Sequence, residues 1–153
     1  MEQIIDKYAN MVYRLAFSQV KDRANADDVF QEVFLRLHKS ATRFNDEEHT
    51  KAWLIRTTIN ESKRFLTSRR FSKTVELSET LSYEPNEPTD DVINAIKTLP
   101  PKYASVLHLF YYEDMKIKEI ATALKTKETT IKQQLSRARE KLKPILREGF
   151  IDV

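Results

Sequence analysis

Between residues 3 and 20 the apolar positions recur at helical spacing. Ile5, Tyr8, Val12, Leu15 and Ala16 fall three, four, three and one residues apart, which is one face of an amphipathic helix. The polar run KDRAN breaks that pattern. Asn25 then offers an N-cap for a second helix over 26–38, with Asp27 and Asp28 in the first turn, where the helix dipole favours acids. Val29, Phe30, Val33 and Leu37 form its inward face. Residues 39–49 are polar and predict a loop, and a third helix follows from about Thr50 to Arg70, burying Ala52, Ile55, Ile59 and Leu66.

Pro85 and Pro88 exclude a continuous helix in the stretch ELSETLSYEPNEPTDD. Beyond it Val92, Ile96 and Leu99 predict a short helix that Pro100-Pro101 stops. Pro101 suits the first turn of the next helix, whose apolar face is Val106, Leu107 and Phe110. Two further helices are predicted over about 117–124 and 128–142. No repeat is visible. With a single glycine, Gly149, the chain has almost nothing to place at the positive-φ positions of tight hairpins, so an all-α fold is expected.

Charge divides the chain in three. Residues 1–75 carry a balance of +4 and residues 92–153 of +5, while 76–91 holds six acids (Glu76, Glu79, Glu84, Glu87, Asp90, Asp91) and no lysine or arginine. The expected architecture is therefore two small helical domains, 1–73 and 92–153, joined by a flexible acidic linker over 74–91. Halves of this size bury only about 60% of their unfolded surface and need good packing. The absence of cysteine removes disulfides and thiolate metal sites, and no apolar run reaches the roughly 18–20 residues that span a bilayer. The N-terminal segment MEQIIDKYANMVYRL is not of signal-peptide type. A soluble, cytoplasmic protein without membrane insertion is expected, and the net +3 is compatible with an anionic partner.

Three constellations carry candidate chemistry. In IKEIATALKTKETTIKQQLSRAREKL two apolar faces, Ile117/Ile120/Ala121/Leu124 and Ile131/Leu135/Ala138/Leu142, are separated by a three-residue turn, the layout of a helix-turn-helix. Ala121 is small where the second helix crosses. Opposite its apolar stripe that second helix shows Lys132, Gln133, Gln134 and Arg137, side chains able to bind base edges or phosphates from the major groove. The plainer reading is a helical hairpin with a solvated basic face. On helix 50–70, Arg56, Asn60, Lys63 and Arg64 form one stripe at i, i+4, i+7 and i+8, extended by Arg69, Arg70 and Lys73 and interleaved with Phe65 and Phe71. Cations among aromatics suit nucleic acid with unstacked bases. A solubilising face over core phenylalanines is the alternative. In DDVFQEVFLRLHK, Asp28, Gln31, Glu32 and Leu35 make an outward stripe fit for a basic helical partner, or else ordinary helix surface.

Catalysis finds little support. His38, His49 and His108 are scattered without metal-ligand spacing, no glycine-rich phosphate loop exists, and no Ser/His/Asp order stands out; no cofactor or metal is expected.

With DDVFQEVFLRL, KAWLIRTTINESKRFL, LPPKYASVLHLFYYEDMKIKEIA and TIKQQLSRAREKL in this order, the chain over about residues 4–143 resembles the bacterial sigma factors of the sigma-70 family, extracytoplasmic-function (ECF) subfamily. The resemblance implies a dissociable, non-enzymatic subunit that binds core RNA polymerase and directs promoter-specific initiation. Asp28, Gln31, Glu32 and Leu35 then look like the grip on the β′ clamp helices. Loop 43–50 and Arg56, Asn60, Lys63, Arg64, Arg69 and Arg70 look like the capture of the minus-ten element. Thr129, Thr130, Lys132, Gln133, Gln134 and Arg137 look like the readers of the minus-thirty-five element. The polymerase β subunit and an anti-sigma factor are further implied partners.

The chain departs from the family pattern in places. Lys125 stands where glycine is usual in the turn, Thr126 where an apolar residue is, Thr129 where glycine is common and His38 where tryptophan is frequent. Asp46, Glu47 and Glu48 place acid in the loop expected near DNA. Within the resemblance, the acidic linker reads as a nucleic-acid mimic in a polymerase channel; a spacer is the alternative. A free-standing helix-turn-helix regulator remains the competing function.

Overall fold

A computed structural model describes residues 2–40, 46–69 and 95–144. The described residues contain helices and turns but no strand, and they fall into two compact units. The first unit holds α1 (Glu2–Val20), α2 (Arg23–Ser40) and α3 (Glu47–Arg69); the second holds α4 (Pro101–Tyr111), α5 (Ile117–Leu124) and α6 (Glu128–Leu142). The linker proper, 74–91, and Val92 lie outside the described residues.

In the first unit each helix packs on the other two. Tyr8, Val12, Leu15 and Ala16 of α1 are buried as the periodicity requires, with Ile5 half-buried in the first turn. Burial pushes the Tyr8 hydroxyl above its ordinary pKa, and the Lys7 ammonium, hydrogen-bonded to the Glu47 carboxylate, is raised as well. On α2, Val29, Val33, Phe34 and Leu37 are buried, and the rings of Phe30 and Phe34 lie 4.8 Å apart.

The helix starts differ from the sequence expectation. Asp22, not Asn25, caps α2: its Oδ1 accepts the Asn25 N–H at 2.8 Å, its carbonyl accepts the Ala26 N–H, and the Asn25 amide bonds back to Asp22 Oδ2 at 2.6 Å. The chain reaches this cap through Lys21 at φ 67°, so the helix begins three residues earlier than the Asn25 cap implied. Likewise α3 begins at Glu47, and Asp46 Oδ1 accepts the His49 N–H at 2.8 Å. The acids expected in a loop are therefore a cap and a first turn, a placement the helix dipole favours.

The buried face of α3 is also turned from the expected one. Leu54, Ile55, Thr58, Glu61 and Ser62 are buried, whereas Ala52, Ile59 and Leu66 are half-buried. A helix wedged against two neighbours needs a face wider than one apolar stripe, and here polar residues fill its second half. Thr58 satisfies its hydroxyl on the Leu54 carbonyl at 2.7 Å, and Glu61 meets arginine.

In the second unit α4 is the central helix. Seven consecutive residues, Tyr103 to Leu109, are buried, which no single amphipathic stripe would give. α5 and α6 pack on it, and Ala95, Ile96 and Leu99 in the preceding turn are buried as well. Phe110, expected inward, is half-buried. His108 is nearly sealed (2% side-chain exposure), with its Nε2 3.1 Å from Glu113 Oε2. Among the described residues no three histidine or acidic side chains are grouped to hold a metal ion.

Candidate nucleic-acid and partner interfaces

The helix-turn-helix spacing is realised. Between α5 and α6 lie Lys125, Thr126 and Lys127, and Lys125 takes the left-handed conformation at φ 55°, ψ 48°. The Thr126 N–H reaches the Ala121 carbonyl at 2.9 Å and the Lys125 N–H the Thr122 carbonyl at 3.2 Å, closing the end of α5 in the Schellman manner. At the other end the Lys116 N–H donates to Glu119 Oε1 at 2.8 Å. Both ends of this eight-residue helix are thus fixed, which sets how α6 is presented.

On α6, Ile131, Leu135, Ala138 and Leu142 are buried against the unit, as their spacing predicted. Thr129, Gln133 and Arg137 follow one another at i, i+4 and i+8 on the opposite side, all exposed. Lys132 flanks this line and is exposed, while Thr130 and Gln134 lie on the other flank, half-buried. Two cations of the same segment are engaged within the unit. Arg139 Nε donates to the Tyr111 hydroxyl at 3.3 Å with its guanidinium 5.4 Å from the Phe110 ring, and Lys141 lies 5.7 Å from the Tyr103 ring. The outward line is left with an amide, a guanidinium and a hydroxyl, the groups that bind base edges and phosphates.

On α3, Asn60, Lys63 and Arg64 are exposed and Arg56 is half-buried, so the expected stripe stands on the surface of the first unit. Arg69 is the last helical residue, and Arg70 lies outside the described residues, as does the 43–45 part of the expected minus-ten loop; Glu47 to Thr50 belong to α3. On α2, Asp28, Gln31 and Leu35 are exposed, Leu35 at 51%, the most exposed large apolar side chain described; Glu32 is half-buried.

Two residues that the sequence reading did not select join these stripes. Glu61, 9% exposed, receives Arg36 Nε at 3.0 Å and lies 3.5 Å from Arg64 Nη1, while the same Arg36 Nε is 3.1 Å from Glu32 Oε2. The i, i+4 spacing of Glu32 and Arg36 was visible in the sequence. The crossing to α3 was not.

Profiles of known families match both units: sigma-70 region 2 over residues 4–72 and sigma-70 region 4 over residues 89–142. The chain belongs to the sigma-70 family. Its similarity to the sigma factors of the ECF group extends over nearly the full length. It is 29% identical to the ECF RNA polymerase sigma factor SigM of Bacillus subtilis over 99% of this chain and 98% of that protein. It is likewise 29% identical to SigV of the same organism, over 82% and 78%. Among solved structures, the sigma factor RpoE from Bartonella quintana, crystallised with the anti-sigma factor NepR, shares the fold with a TM-score of 0.73 at 20% identity, over 95% of this sigma factor and 96% of that chain. CnrH, in complex with the cytosolic domain of CnrY, gives 0.70 at 21% identity. In this sigma factor, region 2 is therefore the α1–α3 unit and region 4 the unit of α4–α6.

Proposed function

We propose that this sigma factor works as a dissociable, promoter-selecting subunit of RNA polymerase, with separate residues for each contact. Asp28, Gln31, Glu32 and Leu35 on α2 dock on the β′ clamp helices. Arg56, Asn60, Lys63 and Arg64, with Arg69 and Arg70, hold the opened minus-ten element. Thr129, Thr130, Lys132, Gln133, Gln134 and Arg137 read the minus-thirty-five element. The protein performs no chemistry of its own and acts in the cytoplasm, where polymerase is; among the described residues no helix is long and apolar enough to cross a membrane. An anti-sigma factor is a further candidate partner, on the precedent of the Bartonella complex.

The observation that carries this reading is the pairing, on one chain, of two outward cationic helix faces in two separate units, one of them beside an acidic stripe bearing an exposed leucine. A face of amide, hydroxyl and guanidinium on α6 suits duplex readout. A face with aromatics nearby on α3 suits strands whose bases have left the stack. An acidic stripe does not attract DNA and fits a basic protein helix.

In vitro transcription with sigma-free core polymerase on promoter-bearing DNA tests the reading. Initiation at discrete start sites only when this protein is added is the expected outcome. Tight binding to a duplex operator by the protein alone, with no initiation, would instead establish a free-standing helix-turn-helix regulator.

A further inference from the structure

The stripe assigned to polymerase and the stripe assigned to DNA are joined by a continuous ladder of charge. Glu32 on α2 meets Arg36 at 3.1 Å, Arg36 meets Glu61 on α3 at 3.0 Å, and Glu61 meets Arg64 at 3.5 Å. One Arg36 nitrogen is shared by two carboxylates, and one Glu61 oxygen by two guanidinium groups. The side chain of Glu61 is only 11% exposed, against 42% for Arg36 and 66% for Arg64, so the carboxylate is the fixed member and the arginines are the ones free to change partner.

Beside the ladder, between α2 and α3, lies an open cleft of about 320 Å³ lined by Asp28, Glu32, Glu61, Arg64 and Phe65. Counting the three carboxylates Asp28, Glu32 and Glu61 against Arg36 and Arg64 leaves one negative charge in excess. The cleft thus suits one added cation, with the Phe65 ring at its wall.

Resting on the stripe assignments above, we propose that Glu61 and Arg36 are positioning residues that couple the two surfaces. A cationic side chain of the partner seated against Asp28 and Glu32 takes Glu32 from Arg36. Arg36 then turns wholly to Glu61, and Arg64, no longer needed to neutralise that carboxylate, is released to a DNA phosphate. The exchange runs both ways, because a coupling free energy between two binding events is reciprocal. A phosphate on Arg64 leaves Glu61 to Arg36 and frees Glu32 for the partner.

The test is a double-mutant cycle on the full chain, read by fluorescence anisotropy with labelled single-stranded DNA 20-mers of mixed sequence. Glu32→Gln imitates the arrival of the partner's cation and should tighten DNA binding about fivefold, the lower end of ordinary allosteric coupling. Asp27→Asn, an exposed acid outside the ladder, controls for the general loss of negative charge and should change affinity less than about twofold at 0.15 M salt, where exposed charges are screened beyond about 8 Å. Glu61→Gln alone should tighten binding, and in that background Glu32→Gln should do no more than the control. If Glu61→Gln does not fold, Arg36→Met breaks the same ladder from α2 and should abolish the Glu32 effect equally.

Additive effects of Glu32→Gln and Glu61→Gln, with Arg64→Ala still weakening DNA binding, would overturn the coupling and leave the stripe assignments standing. An Arg64→Ala variant that binds as tightly as the parent would overturn both. Undetectable binding by every variant, Glu61→Gln included, also overturns the coupling.

Discussion

Lys125 occupies a left-handed conformation that a β-carbon disfavours by about 1–2 kcal/mol. The hydrogen bonds that close α5 hold it there. Lys125→Gly should remove that penalty, less the extra entropy a glycine has in the unfolded chain, and raise the stability of region 4 by about 0.5–1 kcal/mol, read from urea unfolding. A second residue-scale expectation concerns readout. A glutamine amide can pair bidentately with adenine, and Gln133 stands on the outermost line of α6, so exchanging Gln133 and Gln134 for alanine should change which upstream sequence is selected from a randomised promoter pool. Recovery of the same motif would remove both from base readout. Arg137→Ala, by contrast, should weaken all sequences alike and lower the salt slope of binding by about one contact. The hydrogen bonds that close α5 decided the left-handed conformation of Lys125; the three-residue spacing of the turn was legible in the sequence. The half-burial of Gln134 beside the exposed Gln133 was not, since it depends on where the rest of the unit ends.

At the scale of the element, α3 shows a buried side that is polar over its C-terminal half and an outward side that is cationic. Unstacking DNA costs about 1.4 kcal/mol per step, which contacts to the opened strand must offset. Replacing Arg56, Asn60 and Lys63 together by alanine should leave binding to core polymerase unchanged and slow open-complex formation on duplex promoters. A premelted bubble template should recover much of the activity. Equal defects on bubble and duplex would show that the stripe does not hold opened DNA. On α2 the corresponding test is Asp28→Lys, which avoids Glu32 because a lysine there would face Arg36 across the ladder. Asp28 is exposed, so folding should shift by no more than about 0.5 kcal/mol while affinity for core polymerase falls in a pull-down titration. Periodicity fixed the inward face of α6, which has one apolar stripe; on α2 Phe34 is buried and Phe30 half-buried, and on α5 Ala123 is buried with Ile120 and Ala121 while Ile117 and Leu124 are half-buried. It misplaced the inward face of α3, which includes Thr58, Glu61 and Ser62 and so carries no apolar period to read.

For the whole molecule the length and charge of residues 76–91 become testable together. Sixteen residues reach at most about 53 Å, and half that number about 26 Å. On the proposed assignment each unit contacts its own promoter element and this segment connects the two along the chain, so halving it should abolish promoter-dependent transcription. Neutralising Glu76, Glu79, Glu84 and Glu87 should weaken the complex with core polymerase at low salt and matter less as salt rises. Normal transcription from the half-length chain would defeat the account of length. A deficit from neutralisation that is independent of salt would defeat the account of charge.

The sequence by itself determined the helical class, the division into two basic units, the spacing of the helix-turn-helix and the buried stripe of α6. Each follows from local rules, namely the 3.6-residue period, the proline and glycine placement and the charge balance. Tertiary structure alone decided the rest. His108 became a buried partner of Glu113 near the end of α4. Glu61 became the meeting point of two arginines because α2 packs on α3, bringing Arg36 to a carboxylate twenty-five residues away in the chain and already beside Arg64. A one-dimensional pattern records which face a residue is on, but not what stands opposite.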